Sequence, residues 1–597
     1  MTNLEIAELL RDVAASYQLQ DDKKFKFQII AYQRAADAVE HATSELKDLW
    51  DDGKLEDVPG IGPSIAEHLD ELFRTGRSKH FEELMKGIPK EAFKLMELPG
   101  IGIKTAMKLI KESPAEVKEK LKEVEAREKV NKRHLLPYAA MVAGSIIDWM
   151  LKDARVKRVD PLGSLRRKAS TVGDIDLACV TDQPVEVLGH FTKYPETQKI
   201  IEKGEHSASI LLPGNVQVDM MVQPAESYGS LLQHFTGSKH HNIALRDYAL
   251  KKGLSLNEYG ISKIEEKRKI DKNSPLRGQI GKKKFKTEKE FYNFLGLEYI
   301  EPELREDTGE IEAALRQAQG LRPGLPKLVE LKEVRADLQM HSSFDIETSH
   351  DLGESSMEEL VKKGTELGYE YLAFTEHNPS QSGHNEGDIV EILKRKHEKV
   401  EQLNYSIKDM NRKIVHSSST PLRQGYAGVK KVFNSLEIDM KPDGSLPVPA
   451  SGFKLLDFAL VSIHSSFDLP RDAQTKRVLS ALSNPKVKIF AHPTGRKLNE
   501  REGAELNWPE VFDFCIKHDK WIEINCDPMR LDLPDTLVRE AVKLGVKLTF
   551  GTDAHHMDGM NNMIWGVSVA RRGWAQTRDI INTLTLVDFE KKLKGGE

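Results

Sequence analysis

Three aspartates dictate a sheet before anything else in the chain does. Asp174 and Asp176 stand in V-G-D-I-D, and Asp219 stands in V-Q-V-D-M-M-V. Successive side chains of a strand point to opposite faces, so an Asp-x-Asp pair on a strand turns both carboxylates to one face. Hard divalent ions fit between such oxygens, and Asp219 on a neighbouring strand closes the site. Ahead of it, L-G-S-L-R-R puts Gly163 and Ser164 at a bend whose amides and hydroxyl suit a polyphosphate, and Arg167 can fork onto its oxygens. Phoshoryl transfer needs this combination: one ion activates an attacking oxygen and another neutralises the leaving phosphate. Alone, each piece is ordinary, since Asp-x-Asp is common in solvated loops and Gly-Ser before two arginines is usually a basic turn. Their order, with a third Asp in a later apolar strand, points to nucleotidyl-transfer chemistry.

Upstream, V-P-G-I-G-P-S-I-A from Val58 and L-P-G-I-G-I-K-T-A from Leu98 each break a helical pattern and precede an amphipathic helix. Hairpins of this kind aim the amides of a helix N-terminus at a DNA phosphate without reading sequence. Together with G-S-L-R-R, G-D-I-D, Q-V-D and H-F-T-G-S at His234–Ser238, they make the chain resemble the family X DNA polymerases along nearly its whole length. The resemblance implies that Gly163, Ser164, Arg167 and Gly173 hold the triphosphate and that Phe235 and Gly237 line its sugar and base. It implies that Asn242 and Arg246 touch the nascent pair and the template strand. Gly60, Gly62, Gly100, Gly102 and Lys104 are the expected DNA contacts of the hairpins. His234 stands where the family often has Tyr, which bears on sugar discrimination. His68 stands where repair members carry a Schiff-base lysine, with Ser64 in place of a supporting lysine. Imidazole cannot form that imine, which leaves Lys79 as the nearby amine.

The second half disperses histidines and acids at the ends of short apolar runs. They are His341, His377, Glu437, His464, His492, Asp553 and His555. One histidine after a strand is usually structural; a series suggests parallel strands whose C-terminal ends converge on a site. Mixed imidazole and carboxylate ligands suit Zn2+ or Mn2+. This half resembles the PHP (polymerase and histidinol phosphatase) hydrolases, which implies a 3′–5′ exonuclease, with cleavage at abasic sites in some relatives. Three departures stand out: Gln339 for the first His of H-x-H, Asp345 one position early as a ligand, and Glu376 in T-E-H.

A chain of 597 residues exceeds one core. The expected class is multidomain α/β: a helical helix-hairpin-helix N-terminal domain (1–85), a fingers-like domain with the second hairpin (86–132), a nucleotidyltransferase palm (133–223), an α+β thumb (224–320), a linker (321–335) and a distorted β/α barrel (336–585). A polar stretch from about Thr308 to Leu331 marks the linker. No apolar run nears the roughly 18 residues that cross a bilayer, and the N-terminus lacks a signal-peptide pattern. Three cysteines without a C-x-x-C pair imply neither disulfide framework nor zinc ribbon, and so a reducing cytoplasm.

Net charge of −5 runs against a DNA-binding surface, although metal-binding acids account for part of it. Basic stretches from Lys263 and from Gly281 are candidate contacts. The expected activity is gap-filling DNA polymerisation with a metal-dependent exonuclease, using Mg2+ or Mn2+ at the first site and Mn2+ or Zn2+ at the second. Gapped or primer-template DNA and deoxynucleoside triphosphates are the expected partners, and a monomer without membrane association is the expected state. The alternatives are a polymerase with an inactive or structural PHP half, a phosphomonoesterase in that half, a nuclease with a vestigial polymerase, and a non-catalytic gap-binding scaffold. The retained acids disfavour the last, because without metal they repel DNA phosphate.

Overall fold

The computed structural model describes residues 3–40, 46, 50, 55, 61–96, 101–113, 116–118, 120–121, 133–264, 283–417 and 428–595. Two compact units divide the chain at Lys132/Arg133. In the first, helices Asn3–Asp21, Lys26–Glu40 and Pro63–Thr75 share a core that includes Leu10, Val13, Val39 and Leu69. Helix Ile103–Glu112 packs Ile103 and Ala106 against Leu95 and Ala15. Gly62 and Gly102 are the N-caps of Pro63–Thr75 and Ile103–Glu112. Gly60, Gly100 and most of the basic stretch from Lys263 lie outside the described residues.

The second unit begins with a five-stranded sheet: β1 (Arg158–Pro161), β2 (Ile175–Val180), β3 (Lys199–Lys203), β4 (Ser207–Leu212) and β5 (Val216–Gln223), in the order β1-β2-β5-β4-β3. Alternation sorts β2 cleanly. Ile175, Leu177 and Cys179 enter a core with helices Leu136–Met150 and Pro184–Phe191. On the other face Ala178 and Val180 are covered by Tyr228, Leu231 and Leu232 of helix Tyr228–Thr236. Asp176 shares that second face, just short of the cover.

Next, helices Lys239–Lys251 and Glu288–Leu295 and a hairpin of Leu254–Asn257 with Gly260–Lys263 pack around Leu245, Phe291 and Leu295. The segment expected to link the halves is built into this core. It carries helix Glu310–Ala318, whose Glu310 accepts from the buried His241 at 2.6 Å, and Leu328 packs with Trp574. A buried carboxylate with an imidazole partner holds a segment that polar composition alone presents as solvated.

In the last part β6 (Ala336–Met340), β7 (Tyr371–Phe374) and β8 (Lys431–Asn434) form a parallel sheet in that order. A second parallel sheet runs β9 (Glu437–Asp439), β10 (Ala459–Ser462), β11 (Val487–Phe490), β12 (Trp521–Asn525) and β13 (Lys547–Gly551). Where one closed ladder was expected, the described residues give two sheets joined by single bridges, Met340 to Ala554 and His377 to Glu437. The break falls at Ser435–Leu436. There the buried ammonium of Lys396 donates to the carbonyls of Phe374 and Ser435 and pairs with Glu376 at 2.6 Å. Phe589 of helix Leu586–Leu593 fills the space among Tyr371, Phe433 and Trp521.

Candidate active sites

Asp176 on β2 lies opposite Asp219 on β5 in a parallel ladder, and Asp174 precedes it by one pleat. Burial, then the nearby Asp219 and Asp174, push the Asp176 carboxyl up to about 7 against the pull of Arg167. Asp174 is also raised, by burial and then by Asp219, while Arg133 and His134 oppose the shift. Gln217 donates to both oxygens of Asp219, at 3.2 and 3.1 Å. The single helical turn Gly163–Arg166 is laced to β2, since Leu162 N donates to Asp176 O at 2.8 Å. Gly163 has φ +54°, and a Cβ there collides with the Asp176 carboxylate. Gly173 leaves room for the Arg133 guanidinium, which a Cβ would meet at 3.3 Å. Arg133 and His134 carry no motif, so their place beside Asp174 had no signal in the sequence beyond a nearby positive charge.

The two arginines after this turn are already engaged. Arg166 forks onto Glu288 at 3.0 and 2.5 Å, and Glu288 also accepts from the buried Arg305 at 2.6 Å. Arg167 donates to Glu306 at 2.9 Å and to the Thr236 carbonyl at 2.6 Å. It is thereby set against the H-F-T-G-S segment, where a Cβ on Gly237 (φ +69°) would lie 3.1 Å from Arg167 Nη1. Asn242 donates to His234 O at 2.7 Å and accepts from Gln233 at 2.8 Å, so its amide braces this segment. Arg246 approaches His234 Nδ1 at 3.5 Å, and the His234 ring stands edge-on to Phe235 at 4.8 Å. Ser164 lies in the turn itself, half-buried.

In the first unit Lys104 pairs with Asp22 at 2.8 Å, both exposed. His68 stacks on His80 at 4.1 Å, and the two share a cleft with Lys79. Burial, then His80, hold His68 below the usual imidazole range. Ser64 stands on the first turn of Pro63–Thr75, after Gly62.

At the C-terminal ends of the parallel strands a second cluster assembles. His341, His377 and His555 come together, as do His341, Glu437 and Asp553, and Glu437, His464 and His492. Asp345 is not among these groups; its carboxylate accepts the Glu347 amide at 3.0 Å, a local turn bond. Two residues outside the sequence-derived set complete a further group, His350 and Asp439 with His377 and His464. Asp439 accepts from His350 and from His464, both at 2.6 Å. Its signal was present: Glu437 and Asp439 stand on β9 in the same one-residue spacing as Asp174 and Asp176. His350 follows a strand end by ten residues and offered no such pattern.

Ring nitrogens test whether this cluster suits metal. Among the described residues Nδ1 of His341, His377 and His492 is buried with no hydrogen-bond partner, as is Oε1 of Gln339, although His377 Nδ1 lies 3.7 Å from Glu437 Oε2. Gln339 donates its amide to Glu437 at 2.9 Å. Burial drives His377 down to about 3, in spite of Glu437, and so keeps it neutral as a ligand must be. Burial lowers His341, yet bonds to Asp553 and Glu437 outweigh it and lift it to about 10. Glu376 faces away, accepting from Ser342 Oγ at 2.5 Å. The cavity over the cluster, about 240 Å³, has Lys497, Arg501 and Arg530 on its rim.

Among the described residues no helix is long and apolar enough to cross a membrane. Three families match: the DNA polymerase beta thumb over residues 231–306, a helix-hairpin-helix domain over 1–78 and a SAM-like helix-hairpin-helix tandem over 52–113. The chain is 30% identical over 620 aligned positions to the DNA polymerase/3′-5′ exonuclease PolX of Bacillus subtilis (strain 168), covering 100% of both chains. It is 25% identical to DNA polymerase lambda of Rattus norvegicus over 51% of this chain and 56% of that one. A "Probable phosphatase" of Thermoanaerobacter sp. (strain X514) is 27% identical over 21% of this chain and 53% of its own length. End-to-end similarity to PolX, joined to a matched polymerase thumb and matched hairpins, places the chain in the family X DNA polymerases.

Proposed function

We propose that the chain is a DNA-directed DNA polymerase that fills short gaps in repair and carries a 3′–5′ exonuclease in its C-terminal half. The register of Asp176 against Asp219, one pleat from Asp174 and beside the Gly163 turn, carries the reading. Acids raised by burial and by one another are what a cation site presents when nothing balances its charge, so Mg2+ or Mn2+ suits this trio. Bound there, the ions supply the charge that offsets the attacking 3′-oxygen and the departing pyrophosphate. The residues do the rest. Asp219 draws the proton from the primer 3′-hydroxyl, which attacks the α-phosphate in line. Gly163, Ser164, Gly173 and Arg167 hold the β- and γ-phosphates, Phe235 and Gly237 line the sugar, and Asn242 and Arg246 set the nascent pair. The amides following Gly62 and Gly102 take DNA phosphates, with Lys104 beside the second.

The C-terminal strands are read as a distorted β/α barrel, with domain limits as the sequence suggests. His341, His377, Glu437, His464, His492, Asp553 and His555, with His350 and Asp439, would hold two or three Mn2+ or Zn2+ ions. The unpartnered ring nitrogens favour this. Similarity to a probable phosphatase supports a second reading of this half, as a phosphomonoesterase. The buried free cysteines suit a reducing compartment such as the cytoplasm.

A labelled primer on a one-nucleotide gap bearing a 5′-phosphate tests the reading, with Mg2+ or Mn2+ and with or without deoxynucleotides. Asp219→Ala should lose extension alone and His341→Ala should lose 3′ shortening alone. Loss of both activities in one folded variant would refute two separate sites. Hydrolysis of an aryl phosphate without 3′ shortening would select the phosphomonoesterase.

A further inference from the structure

The polar segment 308–326 forms one wall of a cavity of about 1040 Å³. Helix Asp535–Leu544 and residues 574–578 form the other. Arg316, Arg322, Arg539, Lys543 and Arg578 line it, against a single acid, Glu312. Among the described residues no hydrogen bond or ion pair engages the side chains of Arg316, Arg322, Arg539 or Lys543, and Arg578 reaches Asp579 only at 3.9 Å. The Arg539 guanidinium lies 3.8 Å over the Trp574 ring. Arg539 Nε and Trp574 Nε1 are both buried without partners, and Trp574 is only 7% exposed.

Five cations gathered in one cavity against a single lining acid repel, and an anion of several charges relieves that repulsion. Guanidinium forks match phosphate oxygens in geometry as well as charge. Arg539 already covers the face of Trp574, which leaves no ring for a base to stack on. Recognition therefore falls on phosphates, and a cavity this wide spans several of them rather than one. None of the residues assigned to either active site lines it. We propose that this cavity is a third ligand site that binds an oligophosphate, either consecutive phosphates of a DNA strand or a free polyphosphate. Its walls begin two residues beyond Glu306 and Arg572, which flank Arg167, so an occupant sits next to the contacts that hold the polymerase turn.

The test uses the full chain labelled with 5-fluorotryptophan, in chelator to silence both metal sites, with Trp574→Phe identifying one fluorine resonance among the six tryptophans. Sodium tripolyphosphate and an oligothymidylate are titrated separately. The Trp574 resonance should shift saturably with at least one, and Arg316→Ala with Lys543→Ala, both on exposed side chains, should weaken binding by about fivefold or more. Saturation by tripolyphosphate at the lower phosphate concentration assigns a free polyphosphate; saturation by the oligothymidylate first assigns a DNA strand. A resonance unmoved by both probes, or moved equally in the double variant, overturns the site.

Discussion

Arg167 and Arg572 share one carboxylate: each donates to Glu306 Oε1, at 2.9 and 2.8 Å, and Arg572 also donates to the Arg167 carbonyl at 2.8 Å. Arg572 reaches on to Asp535 at 2.8 Å, so a chain of charges runs from the nucleotidyl-transfer turn into the hydrolase half. Glu306 is held below the usual carboxylate range, against its burial, by Arg572 and Arg167.

Arg572→Met leaves Glu306 to Arg167 alone, and a carboxylate that owns the guanidinium competes with the triphosphate for it. KM for the incoming nucleotide should rise several-fold with a smaller change in kcat, measured by single-nucleotide gap filling. Breaking a buried ion network also costs about 3 kcal/mol, visible as a lower melting temperature. Arg572→Lys should recover part of the stability and less of the KM, because an ammonium cannot fork.

Gly163 has no room for a side chain. Gly163→Ala drives a methyl into the Asp176 carboxylate and forces a residue with a Cβ to φ +54°. Strain of about 1–2 kcal/mol is the smaller consequence. Displacement of Asp176 should lower primer extension by at least about a hundredfold, since positioned charge is where such sites gain their rate. Primer shortening by the same variant should match wild type.

Asp176 makes the stability of the chelated protein depend on pH. Its folded pKa of about 7 lies above the ordinary carboxylate value, so between about pH 4 and 7 the folded chain keeps a proton that the unfolded chain has lost. Stability therefore falls as pH rises through that window, by up to about 4 kcal/mol, and levels off above it. Asp176→Asn should flatten this part of the profile in thermal melts between pH 5 and 8. Mg2+ should restore wild type at the alkaline end and leave Asp176→Asn unmoved.

Much of the polymerase site was legible because its information is local. Strand alternation makes Asp174 and Asp176 share a face wherever that strand lies, and G-S-L-R-R is one turn of chain. The partners that fix this turn, Glu288, Arg305, Glu306 and Arg572, are scattered and carry no motif; only the fold brings them to Arg166 and Arg167. The same limit hid Arg133 and His134 beside Asp174. In the second half, strand-end histidines were legible, but the sequence did not disclose that His350 and Asp439 gather with His377 and His464 while Asp345 stays in a local turn. At the break between β8 and β9 the carbonyls of Phe374 and Ser435 accept from Lys396, a residue of a distant helix, and continuity of apolar runs could not disclose that contact.

Asp439 and Asp345 give opposite predictions for the hydrolase centre. Asp439 bonds His350 and His464 at 2.6 Å each, and those bonds hold its carboxyl far below the ordinary range in spite of its burial. It is therefore ionised throughout the working range, either as a ligand itself or as the group that orients two imidazoles toward one ion. Asp439→Asn keeps the shape and removes the charge. Bound Mn2+ or Zn2+, counted by elemental analysis of the purified chain, should fall by about one ion at most, and 3′ shortening should drop about 10- to 100-fold. Asp345→Asn keeps an oxygen that can accept the Glu347 amide and removes only the charge, so metal content and shortening should both stay near wild type. Gap filling should be unchanged in both variants, because neither residue approaches Asp174, Asp176 or Asp219. Equal losses of metal in the two variants would return Asp345 to the ligand set and remove the distinction drawn from the geometry.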